Sequence, residues 1–314
     1  MAWSEAKRPL NLSHWPQGAA WASFFGFVVL SFCLSVKSAA GQSVAPSPSP
    51  TPSPAASPRP SLEKHFFTNL LKDQYGIWTF PLRVRQKDLP WALPLAGVTA
   101  AFFATDEQTA HLVSNSSTAL NVSHDVSQAG TGYAVVGAAG TIYLVGRLTH
   151  NQRARETGIL SFEALVNTGI VTQVFKTASQ RGRPTQNDGE GEFFTHGSSF
   201  FSGHSSSIWS LAAVLDDEYG RRHKWVRFGV FGLATAVSVS RFTGHNHYLS
   251  DIVLGGAVGY GIGHFVYLRH HDTDLDQPPG SVKPVTKLEK YFPRIDPMID
   301  GRTRTYRAAA TWVF

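Results

Sequence analysis

Six apolar segments between residues 91 and 268, few of them alternating as a half-buried strand would, restrict this chain to a mostly helical body. They are WALPLAGVTAAFFAT (91–105), GYAVVGAAGTIYLVG (132–146), GILSFEALVNTGIVTQVF (158–175), SSSIWSLAAVL (205–215), VRFGVFGLATAVSVS (226–240) and IVLGGAVGYGIGHFVYL (252–268). Ahead of them, LEKHFFTNLLKDQ places Leu62, Phe66, Leu70 and Leu71 on one face of an amphipathic helix, expected to face a core. A bilayer span takes about 20 apolar residues, and no segment clearly reaches that length. A helix buried at the centre of a bundle can be apolar all round, so the expectation is a soluble or peripheral all-α bundle. Gly255, Gly259 and Gly263 recur every fourth residue, a spacing that lets a second helix approach closely. Hydrophobic residues at 42% and charged residues at 16% leave enough apolar side chain for one large core.

The ends differ from the body. Lys7 and Arg8 precede the uncharged stretch 19–36, and Ser38-Ala39-Ala40 offers small residues to a peptidase. Residues 1–40 therefore read as an export signal, with an uncleaved anchor as the alternative. Cys33, the single cysteine, lies inside it, so the processed chain forms no disulfide. Residues 41–61 hold the tract SVAPSPSPTPSPAASPRP, an extended spacer or a disordered mature terminus. Residues 62–275 form the body and 276–314 a tail, in which Asp300-Gly301 followed by RTRTYRAAATWVF suggests a short β-hairpin. Export implies the periplasm or the outer face of the cytoplasmic membrane. The net charge of +6 is spread without a basic run, which argues against a nucleic-acid partner.

Three stretches carry chemistry. In KTASQRGRP, Lys176 ends an apolar helix and Arg183 sits in a Gly- and Pro-containing loop; alone, these read as a helix-dipole partner and a solvated arginine. In FSGHSSS, Ser202 is a plausible helix N-cap, Gly203 permits close backbone approach, and His204 falls in the first turn beside an anion-binding helix end. The alternative is ordinary capping with a surface histidine. In SRFTGHNHYLSD, His247 and Asp251 are four apart and share a face if a helix begins near Asn246. The carboxylate then accepts the imidazole Nδ1–H and leaves Nε2 as a lone-pair donor. Arg241 supplies a guanidinium fork for a tetrahedral anion. The bland alternative is a polar connection between two helices.

Taken in order, K-x6-RP, SGH and SR-x5-H-x3-D resemble the three-part signature of the type 2 phosphatidic acid phosphatase superfamily, whose fold includes class A acid phosphatases and vanadium haloperoxidases. The motifs span 176–251, and the helical pattern extends the resemblance over 85–270. The resemblance implies an all-α bundle of the acid phosphatase/vanadium-dependent haloperoxidase type. It implies hydrolysis of phosphomonoesters or lipid (di)phosphates without a metal or other cofactor, through a phosphohistidine, with vanadate as a transition-state mimic. Carried over by position, His247 is the nucleophile, Asp251 its orienter and His204 the general acid. Lys176, Arg183, Arg241, Ser202 and Gly203 hold the phosphoryl group. A phosphorylated small molecule or a lipid phosphate is the implied partner, with a membrane surface nearby.

One departure stands out. Phe201 occupies the place where the family usually has proline, and it is expected to add an aromatic wall to the pocket. The insert 185–200 is expected to overhang the site, with His196 as a loop residue. Two other readings remain open: a vanadium-dependent haloperoxidase, and a non-catalytic phosphate- or lipid-binding module. His245-Asn246-His247 and His270-His271 invite a metal reading, but supporting cysteines are missing, so no metal is expected.

Overall fold

A computed structural model describes residues 62–186 and 190–276, together with the backbone of 294–300 and 305–311. The expected signal, the spacer, Cys33 and most of the tail lie outside these residues. Two compact units divide the chain at His271/Asp272.

The first unit contains eight α-helices among the described residues: α1 (Leu62–Thr79), α2 (Leu89–His111), α3 (Ser117–Ser127), α4 (Gly132–Leu148), α5 (Gln152–Ser179), α6 (Gly203–Leu215), α7 (Lys224–Thr243) and α8 (Leu249–His270). Local chemistry explains their starts. Ser116 accepts a hydrogen bond from the Ala119 amide at 3.3 Å, Asn151 from Ala154 at 3.1 Å, and Ser202 from Ser205 at 3.4 Å. Helix α5 stops where Gln180 turns left-handed at φ 45°.

Helix α6 is the centre of the bundle. On one side Thr168 and Thr172 of α5 meet Ser210 and Ser206, each pair at 3.0 Å. On another, Ser205 Oγ contacts Ser238 of α7 and donates to the Ile252 carbonyl of α8, both at 2.8 Å. Val135, Leu165, Ile208, Leu211 and Val237 fill one apolar core; Leu160, Val171, Phe201, Val214 and Val266 fill a second. The α6–α8 contact depends on the glycine stripe. A Cβ on Gly255, Gly259 or Gly263 would lie 2.8, 2.0 and 2.3 Å from the carbonyls of Ser202, Ser206 and Ser210. Since backbone cannot yield as a flexible side chain does, Gly259→Val should destabilise the protein by about 3 kcal/mol or more. For a domain of this size that lowers Tm by at least ~6 °C. Gly261, with open space at its Cβ position, is the control: Gly261→Ala should not lower the melt and, through helix propensity, should raise it slightly.

Two expectations need correction. Helices α5 and α8 run 28 and 22 residues, longer than the apolar segments that announced them, and both are long and apolar enough to cross a membrane. Capping turns and polar first residues belong to a helix without being apolar, so the segment length understated the helix length. The α3–α4 pair, bent by 42°, meets the same criterion if taken as one span. Leu71 does not face the core: it is exposed on α1, as are Phe67, Tyr133 of α4, Leu148 and Phe228 of α7, each more than 70% accessible.

The second unit carries a 3-10 turn at Thr273–Asp276 and an antiparallel hairpin of β1 (Arg294–Asp300) and β2 (Thr305–Thr311), paired from Arg294↔Thr311 to Asp300↔Thr305. The hairpin matches the turn signal at Asp300-Gly301.

Candidate active site

The three motifs meet at one end of the bundle. Lys176 projects from the last turn of α5, Arg183 follows in the loop, and Gly203 and His204 open α6. Arg241 lies in the last turn of α7, and His247 sits just ahead of α8. Gly203 allows the approach: a Cβ there would lie 3.6 Å from Thr172 and 3.8 Å from Lys176 Cε. The amides of Gly203 and His204, at the first two helical positions, have no carbonyl of their own helix to bond and so present an anion-binding end.

His247 is 2% exposed. It is not on a helix face, since α8 begins at Leu249 and Asp251 serves as the third residue of its first turn, accepting the Tyr248 amide at 3.1 Å. The expected pairing survives in altered form. His247 Nδ1 lies 3.6 Å from Asp251 Oδ2, long for a hydrogen bond, and 3.4 Å from Ser199 Oγ. Ser199 in turn donates to Asp251 Oδ2 at 2.5 Å. A proton on Nδ1 thus reaches Asp251 through the Ser199 hydroxyl, and Nε2 keeps its lone pair.

Asp251 is held from behind by Arg181, which the sequence reading passed over because only Arg183 has the motif spacing. Arg181 is 2% exposed. Its Nη1 donates to Asp251 Oδ1 and Ser250 Oγ, both at 2.8 Å, its Nη2 to Asp106 of α2 at 2.9 Å, and its Nε to the Gly191 carbonyl at 2.9 Å. The rings of Tyr248, Phe103 and Phe193 lie 4.4, 4.9 and 5.3 Å from its guanidinium carbon. Asp106 also accepts the Ser250 amide at 3.2 Å. No spacing rule links Asp106 to residues 75 and 144 positions away, so only the fold reveals it.

The insert does more than overhang. Lys176 Nζ donates to the Ser198 carbonyl and Arg183 Nη2 to Ser198 Oγ at 3.3 Å, so the insert lies against two of the three motif cations. His196 is exposed at φ 59°, a loop residue as expected. Arg241, 8% exposed, donates from Nη1 to Ser127 at 3.2 Å, while its buried Nε donates to nothing among the described residues. Phe201 is no pocket wall. It is fully buried in the second core, 5.3 Å from Phe175, because the chain before α6 turns its side chain inward between α5 and α8.

Burial, then the charges of Arg241, Lys176 and Arg183 together with His247, push His204 down to about 3. Burial pushes His247 down to about 4, against the opposing pull of Asp251. Both rings are neutral at pH 7. A group whose folded pKa lies below its unfolded value contributes stability above the unfolded value, here about 6.5, and loses it as pH falls through the folded one. Compared with His204→Gln, wild type should therefore lose stability as pH falls from about 6.5 towards 4, whereas the difference in Tm between the two proteins should stay constant from pH 8 to 7. Equal slopes in the two proteins would remove His204 from the account.

Comparison with known proteins finds similarity over part of the chain that includes all three motifs. Residues 158–274 match the PAP2 superfamily. A 73-residue stretch is 32% identical to the lipid A 1-phosphatase of Porphyromonas gingivalis, covering 23% of this chain and 16% of that protein. The chain therefore spans only a small part of its curated relative. Among solved structures, LpxE of Aquifex aeolicus is similar with a TM-score of 0.41 and 16% identity, over 55% of this chain and 94% of that one. A transmembrane PAP2-type phosphatidylglycerolphosphate phosphatase from Bacillus subtilis is similar with a TM-score of 0.44 and 17% identity, over 69% and 98%.

Proposed function

We propose that this protein, whose residues 158–274 match the PAP2 superfamily, is a phosphatase that removes phosphate from a lipid phosphate, without a metal, through a phosphohistidine on His247. The observation that carries this reading is the convergence of Lys176, Arg183 and Arg241 on two neutral histidines, one of them tethered through Nδ1. The buried Nε of Arg241, without a partner among the described residues, is a donor suited to an anionic oxygen.

In the first step His247 Nε2 attacks phosphorus, the N–P bond forms and the P–O bond to the alcohol breaks. His204 gives its proton to the departing oxygen. In the second, His204 takes a proton from water, the water oxygen bonds to phosphorus and the N–P bond breaks, releasing inorganic phosphate. A phosphoryl transition state spreads charge over its equatorial oxygens, and three cations with a helix N-terminus supply the stabilisation. His204 is neutral in the free site, so its proton arrives with the substrate: a phosphoryl dianion set among the cations offsets the charges that hold the ring down.

The lipid class rests on the curated relative's name, on helices α5 and α8, and on the exposed apolar residues of α1, α4 and α7. A cleft of about 450 Å³ lined by His111, Asn115, Pro184, Thr185 and His245 adjoins the motif loops and has room for part of a larger substrate. The export signal expected over residues 1–40 supports a site on the outer face of a membrane.

The test is phosphate release by the full chain in detergent from lipid A, phosphatidate, a polyprenyl diphosphate and p-nitrophenyl phosphate, with and without EDTA. At least one lipid should exceed p-nitrophenyl phosphate about tenfold in kcat/KM, vanadate should inhibit, and EDTA should leave initial rates at 25 °C unchanged. Rates abolished by EDTA and restored by zinc or magnesium would overturn the metal-free mechanism. Absence of turnover on every substrate would overturn the phosphatase reading.

A further inference from the structure

We propose that Asp73, Glu163 and His270 form a site for a divalent first-row transition metal of the zinc class. It lies at the end of the bundle away from the phosphate-binding residues. Glu163 is 13 residues before Lys176 on α5, roughly 20 Å along the helix axis. His270 closes α8, at the opposite end from Asp251.

One donor atom from each of the three residues lies within 4.8 Å of the others. The side chains of Asp73 and Glu163 are 0% and 1% exposed and that of His270 is 10% exposed. His270 Nε2 is 3.0 Å from both Asp73 oxygens and 3.7 Å from Glu163 Oε1. Three buried carboxylate oxygens thus lie within 3.7 Å of one imidazole nitrogen. Among the described residues neither oxygen of Glu163 accepts a hydrogen bond. The other nearby cation, Arg269, is 3.5 Å from Asp73, beyond good hydrogen-bond length, is 39% exposed on its side chain, and has its guanidinium carbon 5.5 Å from the Phe265 ring centre.

A buried carboxylate with no donor is a costly arrangement unless a cation or a proton compensates it. A divalent ion balances the two carboxylates, and His270 then turns its Nε2 lone pair to the metal. Two carboxylate oxygens and one imidazole suit zinc or manganese better than calcium or magnesium, which prefer oxygen alone. Three protein ligands leave a position for water. The neighbouring cluster of Glu156, Glu218 and His271 is built differently, since Arg153 donates to Glu218 and provides a fixed internal cation. The role of the ion is to fasten α1 to α5 and α8. It lies outside the phosphoryl chemistry.

The experiment uses the full chain in detergent, stripped by chelator, reloaded with Zn²⁺ or Mn²⁺ and desalted. Wild type should retain about one ion per chain by elemental analysis, and its Tm should rise by several degrees on reloading. Glu163→Gln and His270→Ala should lose both effects, while Glu156→Gln keeps both. Stripping should lower Tm without changing phosphate release at 25 °C, which separates this site from the mechanism above. A wild type that retains no ion with an unmoved Tm overturns the site whatever the variants do. So does Glu163→Gln retaining metal as wild type does, and so does retention of Ca²⁺ or Mg²⁺ in place of zinc and manganese. If the variants fail to fold, retention by wild type decides the matter.

Discussion

His247→Ala is expected to abolish phosphate release while leaving the melting temperature within a few degrees of wild type. Removing the nucleophile of a covalent mechanism typically costs on the order of 10⁴–10⁶ in kcat. The substitution also takes a mostly buried ring from beside Ser199 and Asp251, so some change in stability is expected. That change is bounded because the ring is neutral and Asp251 keeps Arg181, Ser199 and the Tyr248 amide. His204→Ala should lose less, about 10²–10⁴-fold. The loss should be smaller still for substrates whose leaving group needs no proton, such as p-nitrophenyl phosphate. Rapid quenching after mixing His204→Ala with labelled substrate should then trap label on the protein, and His247→Ala should trap none. Substantial residual turnover in His247→Ala would remove the phosphohistidine from the mechanism.

The parts of this centre that were legible in the sequence are those fixed by local spacing. Lys176 to Arg183, Ser202 to His204, and Arg241 through His247 to Asp251 each lie within eleven consecutive residues. A helix end or a tight loop determines their relative positions before any tertiary contact forms. The glycine stripe of α8 was legible for the same reason, as a periodicity of one helix. What escaped was set by the fold. Ser199 belongs to an insert rich in Gly, Ser and Phe whose conformation depends on contacts with Lys176, Arg181 and Arg183. Asp106 looks like a helix-surface aspartate and becomes a buried anchor only when α2 meets the start of α8. Phe201 was misplaced because residue type says whether a side chain is apolar without saying on which side of the loop the core lies. The membrane question turned on the flanking turns of α5 and α8, which contribute length without contributing apolar residues.

Arg181 carries the second large effect. It bridges two carboxylates, Asp106 and Asp251, that are both out of reach of solvent, and removing one partner of such a group typically costs about 3–5 kcal/mol. Arg181→Met is therefore expected to lower Tm by roughly 6–20 °C. A loss of activity in that variant would report unfolding as readily as mechanism. Arg181→Lys is the informative change: it keeps the charge but cannot hold Asp106, Asp251 and the Gly191 carbonyl at once, because an ammonium lacks the planar fork. With Asp251 free to rotate, the Ser199 hydroxyl loses its fixed acceptor and His247 its fixed tautomer. The expected result is a fall of about 10²-fold in kcat with little change in KM, by analogy with other groups that act through a ligand they orient. If Arg181 acts by this route, its effect disappears once the route is cut. Arg181→Lys combined with Asp251→Asn should be no slower than Asp251→Asn alone, a coupling that two independent sites would not show. Losses that multiply in the double variant would mean that Arg181 supports the fold only, and that Asp251 orients His247 without its help.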